Sequence, residues 1–223
     1  MKNFKFKIFD NQRKNMRDKL TTFSPKGRVI ISENVNEKKI ILRDTSNLIL
    51  YRGRNWLLQR AFNKQSVVAR ADWKDKYLCW FGLGSGGAVI GSPLSPVSPN
   101  LSDTALVSPL PGGASNRILD IGTQGFHQFD TSYPNITFDP DIEDETEDTK
   151  LVALIQVTID ADEYNGDEYQ DLSEAGLFVC SYDIDNVPAS PVLTDFDLFA
   201  RVCFSTIRKD VNRQLTFAWY IYF

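Results

Sequence analysis

Glycines at a recognisable spacing are the first feature of this sequence that could do chemistry. Gly82, Gly84 and Gly87 satisfy the pattern G-x-G-x-x-G directly after an apolar run. In a dinucleotide-binding site such a loop opens a helix whose N-terminus faces the pyrophosphate. Three prolines follow between residues 93 and 99, and proline breaks the interior of a helix. The segment therefore predicts a tightly packed or flexible loop, and we expect no cofactor.

Clustered carboxylates are the second feature. One acidic block consists of Asp139, Asp141, Glu143, Asp144, Glu145, Glu147 and Asp148. A smaller cluster consists of Asp160, Asp162, Glu163, Asp167 and Glu168. Such oxygens suit Ca²⁺, but the first block lacks the mid-loop glycine and the spacing of an EF-hand. We expect solvated loops without a resident metal, and the first block could form an acidic docking surface; structural calcium is the alternative.

The residues that could serve as nucleophiles or bases form no catalytic pattern. Ser85 lies between glycines but outside the register G-x-S-x-G of a nucleophile elbow, and His127 has no nucleophile motif nearby. Cys79, Cys180 and Cys203 stand in apolar, strand-like surroundings without paired spacing, which predicts buried, reduced thiols. A single histidine also argues against a Cys/His zinc site. We therefore expect a protein that is not an enzyme.

Charge is distributed unevenly along the chain. Residues 1–80 hold 19 lysines and arginines against 7 acidic residues, whereas the remainder holds 6 against 22. Basic residues interleaved with phenylalanines could bind nucleic acid, but the many acids in the same chain favour contacts between subunits or within one fold. We expect nucleic acid binding to be unlikely. The predicted subunit-interface residues are Phe4, Lys5, Phe6, Lys7, Arg13, Lys14, Arg17, Trp219, Tyr220, Tyr222 and Phe223.

The elements that must position these groups are mostly strands. Short β-branched runs at 28–32 and 39–43, joined around 34–37, predict a hairpin. Residues 44–47 offer N-cap candidates for one helix at about 47–62. Apolar runs at 77–81 and 150–159 and three C-terminal runs predict further strands, with 208–213 as the turn of a closing hairpin. Because aromatic residues crowd the chain end, we expect it to finish inside a sheet or an interface.

This succession predicts a mainly β fold, most simply an antiparallel β-sandwich with one helix, long loops and an extended N-terminal arm. Residues 1–44 form the basic arm with its strands, and 45–223 form the sandwich domain. That domain carries a Gly/Pro-rich loop at 82–116 and the acidic loop at 139–148. The sequence has no apolar run of the roughly 20 residues that a membrane helix needs. The first ten residues alternate charged and apolar side chains, unlike a signal peptide, so we expect synthesis in the cytoplasm and no membrane partner.

Several motifs in order resemble a pattern in structural proteins of tailed bacteriophages. There a helix with N-x-L-L-x-R precedes a strand that closes in G-x-G-x-G-G, followed by elements of the types D-T-x-L and SEAGLF and a closing hairpin. The matching segments here are NWLLQR at 55–60, GLGSGG at 82–87, SDTAL at 102–106, SEAGLF at 173–178, FARVCF at 199–204, IRK at 207–209 and LTFAWYI at 215–221. The resemblance spans roughly residues 45–223 and leaves the N-terminal arm outside.

The resemblance implies a virion component of the neck, tail or baseplate, with no catalytic residues to transfer. Such a protein would be made in the host cytoplasm, would form a homo-oligomeric ring, and would contact other virion proteins. Closed cyclic symmetry is the usual arrangement for such assemblies. The alternative is a receptor- or glycan-binding module at the tail tip or fibre attachment, which would use the Gly/Pro-rich loop.

Overall fold

Strands make up most of the regular structure in the computed structural model, which describes residues 26–63, 73–113, 115–138, 151–182 and 186–222. The strands are β1 (Lys26–Val35), β2 (Lys38–Ile49), β3 (Tyr77–Gly84), β4 (Ala88–Val89), β5 (Ser92–Pro96), β6 (Ile118–Ile121), β7 (Gln124–Gln128), β8 (Asn135–Phe138), β9 (Leu151–Ile159), β10 (Tyr169–Cys180), β11 (Asp197–Asp210) and β12 (Leu215–Tyr222). The described part contains one α-helix, α1 (Tyr51–Phe62), and two 3-10 turns, Trp73–Asp75 and Leu193–Asp195. The mainly β prediction is confirmed. Residues 1–25 of the predicted arm lie outside the described residues.

Ten of these strands form one antiparallel sheet that curls into two layers. The order is β6-β7-β3-β10-β11-β2-β1-β12-β9-β8, and β4 and β5 form a separate hairpin. Strand β2 joins the layers, because Leu48 and Ile49 pair with β11 while most of the strand pairs with β1. The first layer therefore runs from β6 to β11 and the second from β2 to β8, as in a sandwich.

The space between the layers is filled by alternate residues of the facing strands. Phe81 of β3 lies with its ring centroid 5.0 Å from that of Phe217 and 6.5 Å from that of Trp219, both on β12. Successive side chains of a strand point to opposite faces, so residues 215, 217, 219 and 221 all enter this core. Each large apolar side chain buried here contributes roughly 1.5–3 kcal/mol. The aromatic chain end is therefore explained by a strand inside the sheet.

A second, smaller apolar cluster lies on the other face of the first layer. Phe126 stacks on Phe196 with ring centroids 3.8 Å apart, and Trp80, Phe178 and Leu198 surround them. The loops that carry Leu106 and Phe196 cover this face. Both faces of the first layer are thus buried, which explains why β3 and residues 175–180 of β10 read as nearly continuous apolar runs.

The predicted β1–β2 hairpin is confirmed. Its position in the sheet corrects the predicted division of the chain into an arm and a domain between residues 44 and 45. Asn36 and Glu37 both have positive φ angles, 50° and 64°, as a two-residue hairpin turn requires. Strand β1 pairs with β12 on its other side. Residues 26–44 are therefore central strands of the sheet, and the described structure does not separate them from the residues that follow.

The predicted helix exists but begins later than expected. Residues 47–49 continue strand β2, and α1 begins at Tyr51 with Leu50 at the N-cap position and no side-chain cap. The N-cap prediction from residues 44–47 was wrong because pairing of β2 with β1 and β11 claims this segment. The described residues include no helix that is both long and apolar enough to cross a membrane.

The two C-terminal strands do not form the predicted closing hairpin. Strand β11 pairs with β10 and β2, whereas β12 pairs with β1 and β9. The short connection after Asp210 therefore carries the chain from one layer to the other. The turn chemistry of that segment was recognised correctly, but turn residues do not determine which strands pair afterwards.

Candidate interaction site

A buried carboxylate at the centre of β10 organises the long Gly/Pro-rich loop. Arg201 of β11 donates to Glu174 Oε2 from Nε at 2.9 Å and from a terminal nitrogen at 2.7 Å. The other terminal nitrogen of Arg201 donates to Asp103 Oδ2 at 2.6 Å. Glu174 and Arg201 are both buried. Buried charges must be paired and hydrogen-bonded to be tolerated, and these two charge-assisted hydrogen bonds to one carboxylate oxygen meet that requirement.

Backbone amides of the loop complete the coordination of the same carboxylate. Glu174 Oε1 accepts hydrogen bonds from the N–H groups of Gly86 at 3.1 Å and Ser108 at 2.8 Å. Glu174 Oε2 accepts one from the N–H of Val107 at 3.2 Å. The Gly87 N–H donates to Ser173 Oγ at 2.9 Å. The glycine-rich segment therefore does bind an anion, and that anion is the protein's own glutamate.

Close approach of the backbone explains why this segment is rich in glycine. A Cβ atom on Gly87 would lie 1.9 Å from the carbonyl oxygen of Ser173, and one on Gly84 would lie 2.5 Å from Glu174 Oε1. Any larger residue would push the loop away from β10. The segment continues into hairpin β4–β5. It does not continue into the helix that a dinucleotide site requires, as its prolines predict.

The hairpin held in this way presents apolar side chains to solvent. Ile90 at its tip is fully exposed, and the exposed fractions are 78% for Leu94 and 68% for the neighbouring Val107. Residues 83–102 include no charged side chain. The turn needs Gly91, whose φ is 76°, but it places no demand on Ile90. An exposed, uncharged apolar tip on an anchored loop is typical of a contact surface.

A second buried ion pair attaches helix α1 to the first layer. Asp197 of β11 accepts hydrogen bonds from Lys76 Nζ at 2.8 Å, from Trp73 Nε1 at 2.9 Å and from Arg52 at 2.9 Å. Lys76 and Asp197 are both buried. The indole N–H of Trp56 donates to the carbonyl of Lys76, so α1 and the 3-10 turn at residue 73 form one unit. This network is structural, because every contact joins elements of the fold.

The single histidine belongs to a buried pair that sequence reasoning did not find. His127 Nε2 lies 3.0 Å from Glu163 Oε2, and both side chains are fully buried. Burial raises the pKa of Glu163, but the hydrogen bond and charge of His127 outweigh it, so the net pKa lies below its ordinary value of 4.5. Glu163 had been expected in a solvated acidic loop, and this was wrong. Its pairing with His127 supplies the physical reason.

The predicted interface residues fall into three groups. Trp219 is 1% exposed and belongs to the core between the layers, so its assignment to a subunit interface was wrong. Tyr220 and Tyr222 are half-buried on the outer face of β12 and stack with centroids 6.4 Å apart. The remaining predicted interface and acidic docking residues lie outside the described residues: Phe4, Lys5, Phe6, Lys7, Arg13, Lys14, Arg17, Asp139, Asp141, Glu143, Asp144, Glu145, Glu147, Asp148 and Phe223.

The three cysteines lie wholly or partly inside the described structure. Cys180 and Cys203 are buried and Cys79 is half-buried, and all three are reduced. Burial raises the pKa of the Cys203 thiol to about 11, so it is a poor nucleophile at neutral pH. Within the described ranges no group of histidine, cysteine or acidic side chains has the arrangement of a metal site.

Sequence reasoning missed the Glu174–Arg201 pair, although a signal was present. Glu174 and Arg201 are isolated charges within apolar strand runs. A charge in such a position must be buried, and a buried charge must have a partner. Sequence alone could have suggested that the two charges pair, but not that Asp103 and the glycine loop complete the arrangement.

Four of the seven segments singled out in the sequence meet in space at this network. GLGSGG contributes Gly86, SDTAL contributes Asp103, SEAGLF contributes Glu174 and FARVCF contributes Arg201. Comparison of the chain with protein-family models, curated proteins and solved structures gave no match. The functional argument therefore rests on these residues and their geometry.

Proposed function

We propose that this protein is a non-enzymatic structural component of a tailed phage virion and forms part of an oligomeric ring in the neck, tail or baseplate. One observation carries the proposal: four separate motifs meet at the Glu174–Arg201 pair and anchor a loop whose apolar tip faces solvent. The network gives the hairpin a fixed position on β10 and β11. A preorganised contact element loses little entropy when a neighbouring subunit binds it.

The shape of the contact favours a ring. In the proposed contact the projecting hairpin of one subunit binds a different patch of its neighbour, so the contact is head-to-tail. Head-to-tail contacts generate rings when the rotation closes. Basic residues of the N-terminal part and the acidic block at 139–148 could add charge complementarity.

Removal of the apolar tip tests the proposal. We expect the purified protein to form rings that electron microscopy and analytical ultracentrifugation detect, and Ile90→Ser combined with Leu94→Ser to leave a folded monomer. Ile136→Ser is the matched control, because Ile136 is 60% exposed on edge strand β8 and far along the chain from the hairpin. Rings that persist in the double variant would exclude the hairpin as the contact.

The alternative, a receptor- or glycan-binding module, would use the same exposed hairpin. A glycan array separates the two functions. A monomeric wild-type protein that binds a glycan, with binding lost in the Ile90→Ser, Leu94→Ser variant, would replace the ring proposal. A ring-forming protein that binds no glycan would support it.

A further inference from the structure

The outer face of the second layer carries an apolar and aromatic surface that we call the tyrosine platform. It consists of Ile30, Val152, Leu154, Tyr220 and Tyr222, all half-buried. Arg28 lies opposite Tyr220 at the edge of this surface, and its charge is paired with Asp44 at 2.6 Å. Alternation of side chains turns these residues away from the core, since their neighbours Val29, Ile155 and Trp219 fill it. An outward face of an antiparallel sheet is normally polar. This face is therefore suited to a covering segment.

The N-terminal segment is attached directly beside this platform. Lys26, the first described residue, lies opposite Tyr222, and Tyr222 lies opposite Val152. Neighbouring strands are about 5 Å apart, so the whole platform lies within about 10 Å of the strand where the segment begins. Twenty-five residues could span about 80 Å when extended. Because the segment is tethered at this point, its effective concentration at the platform of its own subunit is high.

The composition of residues 1–25 suits this surface. The segment alternates lysines with Phe4, Phe6 and Ile8, so an extended chain would have one apolar and one basic side. It holds seven lysines and arginines against two aspartates, whereas the remaining residues hold 27 acidic against 18 basic side chains. Apolar contact with the platform and attraction to the acidic body of the protein therefore act in the same direction.

We propose that residues 1–25 bind across the tyrosine platform of their own subunit, with their phenylalanines against Tyr220 and Tyr222. The sequence alone had suggested that this arm reaches a neighbour, and the register of β1 with β12 favours the nearer surface. The proposal concerns the individual subunit and does not depend on ring formation or on a virion role.

Limited digestion of the full-length protein with trypsin tests the proposal, because residues 1–25 contain seven trypsin sites. Intact-mass spectrometry follows the first cuts. We expect slow cleavage in the wild type, and at least about tenfold faster cleavage in Tyr220→Ser, Tyr222→Ser, since proteolysis follows the population of the open form. Phe4→Ser, Phe6→Ser should have the same effect without any change to the sheet. Tyr169→Ser, at an exposed tyrosine on β10, should leave the rate unchanged.

Two results would overturn the proposal. One is cleavage of wild-type residues 1–25 as fast as cleavage of a synthetic peptide of the same sequence, which would mean that the arm is unbound. The other is protection that disappears on dilution, which would place the arm on a second copy. Protection that is independent of protein concentration and is lost in Phe4→Ser, Phe6→Ser would support binding within the subunit, whatever the outcome of the ring experiment.

Discussion

At the scale of single residues, Glu174 has the largest structural consequence. Its carboxylate accepts hydrogen bonds from Arg201 and from three loop amides. Removal of one partner from a buried pair leaves the other charge uncompensated, which typically costs about 3–5 kcal/mol. Glu174 therefore links the stability of the sheet to the position of the loop.

We expect Glu174→Gln to lower the free energy of unfolding by about 3 kcal/mol, because buried Arg201 would lose one of its two carboxylate partners and keep only Asp103. Urea unfolding followed by circular dichroism measures this change. Glu168→Gln is the control, since Glu168 is exposed on the connection before β10 and surface substitutions usually change stability by less than about 0.5 kcal/mol. Equal stability of the two variants would contradict the described network.

Glu163 predicts how stability depends on pH. Its pKa in the folded protein lies below the ordinary value of 4.5, because His127 and the Asp160 N–H outweigh the effect of burial. At acidic pH the unfolded chain therefore binds more protons at Glu163 than the folded chain does. The stabilisation from Glu163 is present above pH 4.5 and is lost as the pH falls through the pKa of the folded protein.

Glu163→Gln should accordingly show a smaller loss of stability than the wild type when the pH is lowered from neutral to below 4.5. At pH 7 it should be less stable by about 2 kcal/mol, the usual range for a hydrogen bond to a charged group. Urea unfolding at a series of pH values checks both expectations. As a control, Asp162→Asn at the exposed neighbouring position should show the same dependence of stability on pH as the wild type. An unchanged pH dependence in Glu163→Gln would show that the His127–Glu163 pair contributes little to stability.

At the scale of elements, the docking of α1 on β11 depends on the absence of a side chain at Gly53. A Cβ atom there would lie 2.3 Å from the carbonyl oxygen of Phe199. Trp56 packs edge-on against the Phe199 ring with centroids 5.6 Å apart. The helix is thus held by close backbone approach as well as by the Asp197 network.

Gly53→Ala separates the effect of helix propensity from the effect of packing. Helix propensity alone predicts that the free energy of unfolding rises by about 1 kcal/mol, because alanine is the better helix former. The close contact with Phe199 predicts instead that the free energy of unfolding falls by about 2 kcal/mol, as overpacking in a core typically causes. Thermal unfolding distinguishes the two signs. Leu58→Ala, at an exposed position of the same helix, should change the midpoint only slightly; a higher midpoint for Gly53→Ala would contradict the docking geometry.

At the scale of the whole molecule, the chain end is part of the centre of the fold. Strand β12 lies between β1 and β9 along its whole length. Part of the uneven charge is also neutralised inside the described structure, because Arg52 and Lys76 of the basic part pair with Asp197 of the acidic part. Segments distant in the sequence therefore stabilise one another both by strand pairing and by charge.

Truncation after Gln214 should prevent folding. The shortened chain would lack β12, so β1 and β9 would lose their common neighbour and the core would lose Phe217 and Trp219. We expect the truncated protein to show no cooperative transition in urea and no dispersed amide signals in NMR spectra. A cooperative transition like that of the full chain would mean that β12 is dispensable.

Local patterns were enough to predict several elements and some of the candidate site. Alternation and β-branched runs predicted the mainly β fold and the β1–β2 hairpin, and the aromatic crowding predicted a buried C-terminal strand. Prolines excluded a nucleotide-binding helix after Gly87. Each of these properties depends on residues within a few positions of one another, so the sequence by itself determined them.

Tertiary structure decided which strands pair and which buried charges meet. Only packing of the two layers separates β11 from β12, extends β2 through residues 47–49, and buries Glu163 beside His127. Glu174 meets Arg201 and Gly86, and Arg201 meets Asp103, because four distant segments converge at one point of the first layer. Turn chemistry and periodicity depend on a few neighbouring residues. Strand pairing and charge burial depend on the free energy of the whole core, and no local sequence pattern carries that information.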